Sequence, residues 1–247
     1  MARPLRFVLL GDSLTEYSFR TVHGWGPRLA VDYSRKADVI PRAFGGYTTR
    51  AFLYYIDKIL SSCPPPDVAT LCLGGNDAAL PGTTGGYHVP VQEMKENTAK
   101  IIKEIKKRNE DTKIILLTPS IADDEVAAEY CLREFDIVEG GWKLEYGKQY
   151  ADAAQAVAQD LDLPYINFWR DMQNPTQSPF YGNIRDVVQP DFRRYVYDGM
   201  HLSTAGHSFV YKSLKALIRR DLPQFCSDSL PVFMPIYQDI DWSSPPE

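Results

Sequence analysis

Residues 6–13 read "RFVLLGDS". Phe7 to Leu10 are continuously apolar, and Gly11, Asp12 and Ser13, all turn formers, follow at once. A half-exposed strand would alternate. A short unbroken apolar run bounded by turn residues is the pattern of a strand buried on both faces. The pattern recurs at "DVATLCLGG" (67–75), "TKIILLTP" (112–119) and "LPYINFW" (163–169), and in a shorter form within "ADVIPRAFGG" (37–46). Between these runs, apolar residues recur at helical spacing over 24–35, 49–61, 90–109 and 144–161, and once more over 204–220, before Pro223. Strand and helix in alternation predict an α/β fold: a doubly wound, three-layer sandwich around a parallel sheet of about five strands. Residues 1–247 are expected to form one domain of this kind, with a Pro/Ser-rich tail over 222–247.

Composition narrows the function classes. The chain is 44% hydrophobic and 24% charged, as globular chains are, and 247 residues bury a core without disulfides. With a formal net charge of −5 and no basic stripe, it does not read as a nucleic-acid binder. The locally basic "KIIKEIKKRNEDTK" (100–113) carries its apolar residues at helical spacing and reads as a solvated helix face. Cys63, Cys72, Cys131 and Cys226 are too scattered for a zinc knuckle or a redox pair, and suggest a reducing compartment. No apolar run approaches the roughly 20 residues that span a bilayer, and too little chain precedes the first strand for a signal peptide. The expectation is a cytoplasmic protein without membrane insertion. The tail either packs along its own domain or crosses to a second copy, forming a homodimer.

Doubly wound sheets bind ligands beyond the carboxyl ends of their strands. Gly11-Asp12-Ser13, Gly45-Gly46 and Gly74-Gly75-Asn76-Asp77 follow the first three strand candidates at that end. This convergence favours a nucleophile at Ser13 over an ordinary turn. An activated serine needs a base, and the base an orienting group. Of the four histidines, His201 has the suggestive setting, "YDGMHLSTAGHSFVY" (197–211). Asp198, three residues earlier, can fold back in a tight turn onto one ring nitrogen and leave the other to face the serine. Ser203 is placed to cap the next helix. His207 is expected on that helix's surface with a carbonyl or carboxylate partner, and His23 and His88 are given no chemistry. A surface loop is the bland reading of Asp-x-x-His, but the order Ser, Asp, His, ending near the C-terminus, favours a triad. Backbone amides of Ser13 and Gly46 and the side-chain amide of Asn76 are the candidate oxyanion donors. Asp77 and Asp12 read as loop-tying groups. A nucleotide binder would need a glycine-rich phosphate loop after the first strand, and "GDSLTEYS" has one glycine and two acids.

"GDSLTE", "FGGYTTR", "LGGNDA" and "DGMHLS" resemble, in order, the four motif blocks of the GDSL, or SGNH, hydrolase family, and span residues 11 to 203. "FGGYTT" and "DGMHLS" look most like its isoamyl acetate-hydrolysing esterase branch of small intracellular enzymes. The resemblance implies a serine esterase acting on a small-molecule ester. It makes Ser13, Gly46, Asn76 and His201 the four family residues and Asp198 the triad acid. It also implies a flavodoxin-like five-stranded parallel sheet and no metal or organic cofactor. A carbohydrate or lipid deacylase on the same scaffold is the alternative within the enzyme class, and a non-catalytic binding protein the alternative outside it. The chain departs from the branch at Pro41 and Ala43, where Asn and Gly are usual; that Asn braces the oxyanion-glycine loop, which a proline cannot do. Two long connections, 120–142 and 170–197, leave the carboxyl edge and are expected to cover a partly apolar cleft beside Ser13. Phe180, Tyr181, Phe192, Tyr195 and Tyr197 crowd the second: an acyl pocket, a sugar platform or core.

Overall fold

A computed structural model describes residues 3–83, 85–138, 140–180 and 191–243. The elements run β1 (Leu5–Gly11), α1 (Ser13–Glu16), α2 (Trp25–Asp32), β2 (Ala37–Ala43), α3 (Thr49–Tyr54), α4 (Ile56–Ser61), β3 (Val68–Cys72), α5 (Val91–Arg108), β4 (Lys113–Leu117), α6 (Asp124–Phe135), α7 (Leu144–Asp160), β5 (Tyr165–Ile166), α8 (Phe168–Gln173) and α9 (Thr204–Asp221).

Among the described residues the five strands form one sheet, in the order β2-β1-β3-β4-β5, with every neighbouring pair parallel. Strand periodicity explains the three layers. Phe7 and Leu9 point to one face, where they join Leu29 of α2, Phe168 of α8 and Val210, Leu214 and Leu217 of α9. Val8 and Leu10 point to the other, onto Phe52, Ile59, Ile101, Ile105 and Val157 of α3, α4, α5 and α7. The helix expected over 49–61 breaks at Tyr55 into α3 and α4, and Phe52 and Ile59 still reach the same core. Pro41 is accommodated because β2 is the edge strand, where a missing ladder donor is tolerated.

The sheet order places the functional edge. After β1 the chain moves outward to β2, then crosses back to β3 on the other side of β1, so a switch point lies between β1 and β3. Gly11 is in register with both Ala43 and Cys72. The first three carboxyl-end loops therefore leave the sheet at one level.

Two expectations change, and one choice narrows. α6 was not anticipated: only Ala127 and Cys131 of its residues are buried, so its apolar period is weak. It is held instead by its cap, the Asp123 carboxylate accepting from the Glu125 and Val126 amides. The described tail takes the first of the two placements offered for it, along its own chain, the Phe233 amide donating to the Arg35 carbonyl and Arg35 Nη1 to the Pro235 carbonyl. His207 is not on the helix surface. It is 5% exposed, and its Nδ1 has no hydrogen-bond partner. The spacing 207, 210, 214, 217 puts it on the apolar stripe of α9. The four cysteines are buried free thiols. Among the described residues, no helix is long and apolar enough to cross a membrane.

Burial lowers His207 to about 4, so its folded imidazole stays neutral where an unfolded one, near 6.5, takes a proton. Between those values the unfolded state binds more protons, and stability falls as pH falls through the window. The wild type is expected to lose about 1–2 kcal/mol between pH 7 and pH 5 that a His207→Gln variant does not lose. Urea unfolding of both proteins at the two pH values measures this. Equal losses would mean that His207 is not buried as a neutral ring.

Candidate active site

Ser13 lies at the start of α1, two residues beyond the end of β1. The Asp12 carboxylate caps that short helix, accepting the Leu14 amide at 3.0 Å. The fold brings residues 13 and 201 together: Ser13 Oγ is 3.1 Å from His201 Nε2, and His201 Nδ1 is 2.7 Å from Asp198 Oδ2. Asp198 also shapes its own turn, its Oδ1 accepting the Met200 and His201 amides at 3.1 and 2.7 Å. Burial alone would raise the Asp198 carboxyl. The His201 hydrogen bond and charge, with the two amides, outweigh it and hold the group below the usual carboxylate range. An ionised Asp198 accepts only, so Nδ1 carries the proton and Nε2 is left as the acceptor facing Ser13.

The His201 ring is hemmed in by tyrosines. Tyr17 packs against it at 4.9 Å between centroids, Tyr130 at 5.9 Å edge-on and Tyr197 at 6.1 Å. The Arg20 guanidinium sits 3.4 Å from the Tyr17 centroid. One face of the sequence "SLTEYSFR" (13–20) thus carries the serine, Glu16, Tyr17 and Arg20 at spacings of three and four. Glu16 braces the loop after β2, its carboxylate accepting the Gly45 amide. It thereby supports the loop that leads to Gly46. Gly46 follows with φ +78°, a left-handed conformation that glycine adopts freely.

Asn76 joins the loop after β3 to the loop after β2, its Nδ2 donating to the Tyr47 carbonyl at 2.9 Å. A second Nδ2–H remains. Among the described residues, the Ser13 and Gly46 amides donate to no acceptor. Asp77 accepts the Thr49 amide and hydroxyl. Burial raises Asp77 to about 6 and Asp12 to about 7, against the pull of these donors. His88 Nδ1 bonds to the Ala79 carbonyl at 2.9 Å, outside the Ser13–His201–Asp198 line.

These groups face a cleft of about 280 Å³ whose lining includes Ser13, Gly46, Asn76 and His201. The 120–142 connection forms one wall through Ile121, Tyr130, Phe135 and Trp142. Trp142 reaches further, its Nε1–H donating to the Gly75 carbonyl at 2.9 Å, and the Leu80 amide donates to the Gly141 carbonyl at 2.7 Å. Gly141 is therefore tied to the loop after β3. The 170–197 connection differs from expectation. None of its described residues lines the cleft. Phe180 and Tyr195 are buried in the core on the sheet's α8–α9 face. Phe192 packs against that core, and Tyr197 is exposed beside His201. Tyr181 and the rest of 181–190 lie outside the described residues.

α6 also supports the turn that carries Asp198 and His201, the Asp123 amide donating to the Gly199 carbonyl at 2.9 Å. Gly199 has φ +86°, and a Cβ there would lie 2.3 Å from the Ala127 nitrogen. Gly199→Ala is expected to cost about 1–3 kcal/mol of stability, read by urea unfolding, and to slow fluorophosphonate labelling of Ser13 by displacing His201. A variant with wild-type stability and labelling would show that this contact does not hold the turn.

The model of the GDSL-like lipase/acylhydrolase family matches residues 9–209. A GDSL esterase/lipase of Arabidopsis thaliana is 35% identical over 244 residues, covering 96% of this chain and 94% of the relative. The isoamyl acetate-hydrolyzing esterase 1 homolog of Homo sapiens is 30% identical over 248 residues, covering 97% and 90%. Among solved structures, the lipase/acylhydrolase from Enterococcus faecalis shares the fold with a TM-score of 0.61, at 23% identity over 94% of this chain and 100% of that one. The chain belongs to the GDSL-like lipase/acylhydrolase family of carboxylic ester hydrolases.

Proposed function

We propose that the protein is a serine esterase that hydrolyses short-chain acyl esters of small alcohols, acetate esters among them, through an acyl-enzyme on Ser13. The observation that carries this reading is the continuous line from Ser13 Oγ through His201 to Asp198, at 3.1 and 2.7 Å. His201 Nε2 takes the Ser13 proton as Oγ attacks the ester carbonyl. Asp198 stabilises the imidazolium and holds the tautomer. The oxyanion forms where the Ser13 amide, the Gly46 amide and the second N–H of Asn76 converge. Two of these donors have no acceptor among the described residues and the third keeps a hydrogen free, which supports their use on a ligand. His201 then protonates the leaving alcohol, and water, deprotonated by the same ring, releases the acid and restores Ser13.

Two features support the choice of ester. The cleft, at about 280 Å³, is small and walled largely by apolar and aromatic side chains. A relative that matches over nearly the whole chain is named for hydrolysis of isoamyl acetate, an acetate ester of a small alcohol.

p-Nitrophenyl acetate and butyrate are the direct assay. Ser13→Ala is expected to remove nearly all hydrolysis with the circular dichroism spectrum unchanged, and a fluorophosphonate should label Ser13. Asp198→Asn is expected to lower kcat by about 10²–10⁴ with little change in KM, because the imidazolium it stabilises exists only beyond the ground state. Labelling at a different serine would remove Ser13 from the mechanism; wild-type kcat in Asp198→Asn would reduce the site to a Ser–His pair.

A further inference from the structure

Behind one wall of the cleft lies a second pocket of about 240 Å³, lined by Gly85, Tyr87, Phe135, Ile137 and Trp142. Among the described residues, no charged side chain borders it. Tyr87, Phe135 and Trp142 also line the cleft beside Ser13, so their rings are the partition between the two spaces.

The three rings are held unequally. Trp142 is buried, tied by its indole N–H to the Gly75 carbonyl, with its ring 6.0 Å from that of Tyr87. The Tyr87 hydroxyl lies against Gly46, 3.4 Å from where a Cβ on that glycine would stand. Phe135 is the last residue of α6, is 44% exposed and has no polar atom to anchor it; its ring contact is with Tyr130 at 5.8 Å. Phe135 is the part of the wall whose removal disturbs least.

The direction of the partition identifies the part of the ligand that meets it, given the acyl-enzyme reading above, on which this step rests. The leaving alcohol must lie within proton-transfer reach of His201 Nε2. Tyr87 instead lies against Gly46, and Trp142 is hydrogen-bonded to the Gly75 carbonyl, on the loops that carry the oxyanion donors. The acyl arm, leading away from the leaving group, runs toward these rings. The cleft falls just short of the roughly 300 Å³ at which ligand pockets commonly begin, and it must hold both arms of the ester. A straight acyl chain therefore meets the wall after a few carbons.

We infer that Tyr87, Phe135 and Trp142 set the acyl-length limit of this enzyme, and that the pocket behind them takes the distal methylenes of a straight fatty-acyl chain once Phe135 is cut back. The lining favours hydrocarbon and disfavours a hydroxylated arm, whose polar groups would find few partners there.

The test is kcat/KM for p-nitrophenyl acetate and octanoate in the wild type, Phe135→Ala, Phe135→Trp and the double variant Phe135→Ala/Ile137→Trp. The octanoate-to-acetate ratio is expected to rise at least about tenfold in Phe135→Ala and to fall in Phe135→Trp. Ile137 borders only the second pocket, so the rise should disappear in the double variant. Phe135→Leu, which keeps an apolar side chain on α6, gives the same sign of change if the alanine variant is unstable. A ratio equal to wild type in both shortened variants, or a gain that survives Ile137→Trp, overturns the inference. The two readings fail separately. Hydrolysis that persists in Ser13→Ala, or a wild type inactive on every ester, removes the acyl-enzyme and this inference with it. A Ser13-dependent esterase whose ratio does not move removes the wall alone.

Discussion

The Asp198 carboxylate is the point on which the site depends. One oxygen accepts two amides of its own turn and the other accepts the His201 ring N–H, so a single side chain sets both the backbone and the imidazole. A carboxylate with three donors stays ionised despite partial burial, and an ionised carboxylate admits one histidine tautomer. The turn is too short to hold this geometry unaided. Gly199 takes a conformation closed to other residues at low cost, and its carbonyl is bonded from the start of α6. α9, capped by Ser203, anchors the far side.

The opposite side of the cleft is organised by buried carboxylates. Asp77 gathers the start of α3 through Thr49, and Asp12 caps α1. Both are raised by burial, to about 6 and about 7, so their charged forms are held at a cost that their donors only partly offset. Glu16 adds a third, half-buried carboxylate on the Gly45 amide. Three acids thus fix three loops that contain the free donors. Such preorganisation lets donors meet a developing charge without reorganising first, which is where oxyanion stabilisation gains its energy.

The 120–142 connection does more than cover the cleft. Through α6 it supports Gly199, through Trp142 it holds the Gly75 carbonyl, and through Tyr130 it packs on His201. It therefore touches both halves of the site from outside the sheet. Its Cys131 and Trp142 share a buried cluster with Met94 of α5 and Tyr150 of α7, separate from the two cores on the sheet faces.

The sequence by itself determined whatever depends on near neighbours. Continuous apolar runs marked β1, β3 and β4 to within a few residues because burial on both faces leaves few polar positions, whereas β2, a half-buried edge strand, left a weaker run. Helical spacing marked α2, α5, α7 and α9 for the corresponding reason. Asp198 and His201 were legible as a pair because three residues of turn bring them together locally, and the glycine-bearing loops were legible because they follow strands. What required the tertiary structure was every relation between distant segments. Ser13 and His201 are 188 positions apart and meet only because α9 packs beneath β1 on one face of the sheet. His207 read as a surface residue, since one polar position in a helix says nothing of which neighbour covers it; packing put it on the buried stripe of α9. Phe180 and Tyr195 are equally aromatic in core and cleft, and only the packing of α8 and α9 sent them to the core. Glu16 bracing Gly45 left no sequence signal beyond its spacing from Ser13, because its partner is a backbone amide, a group that every residue except proline carries.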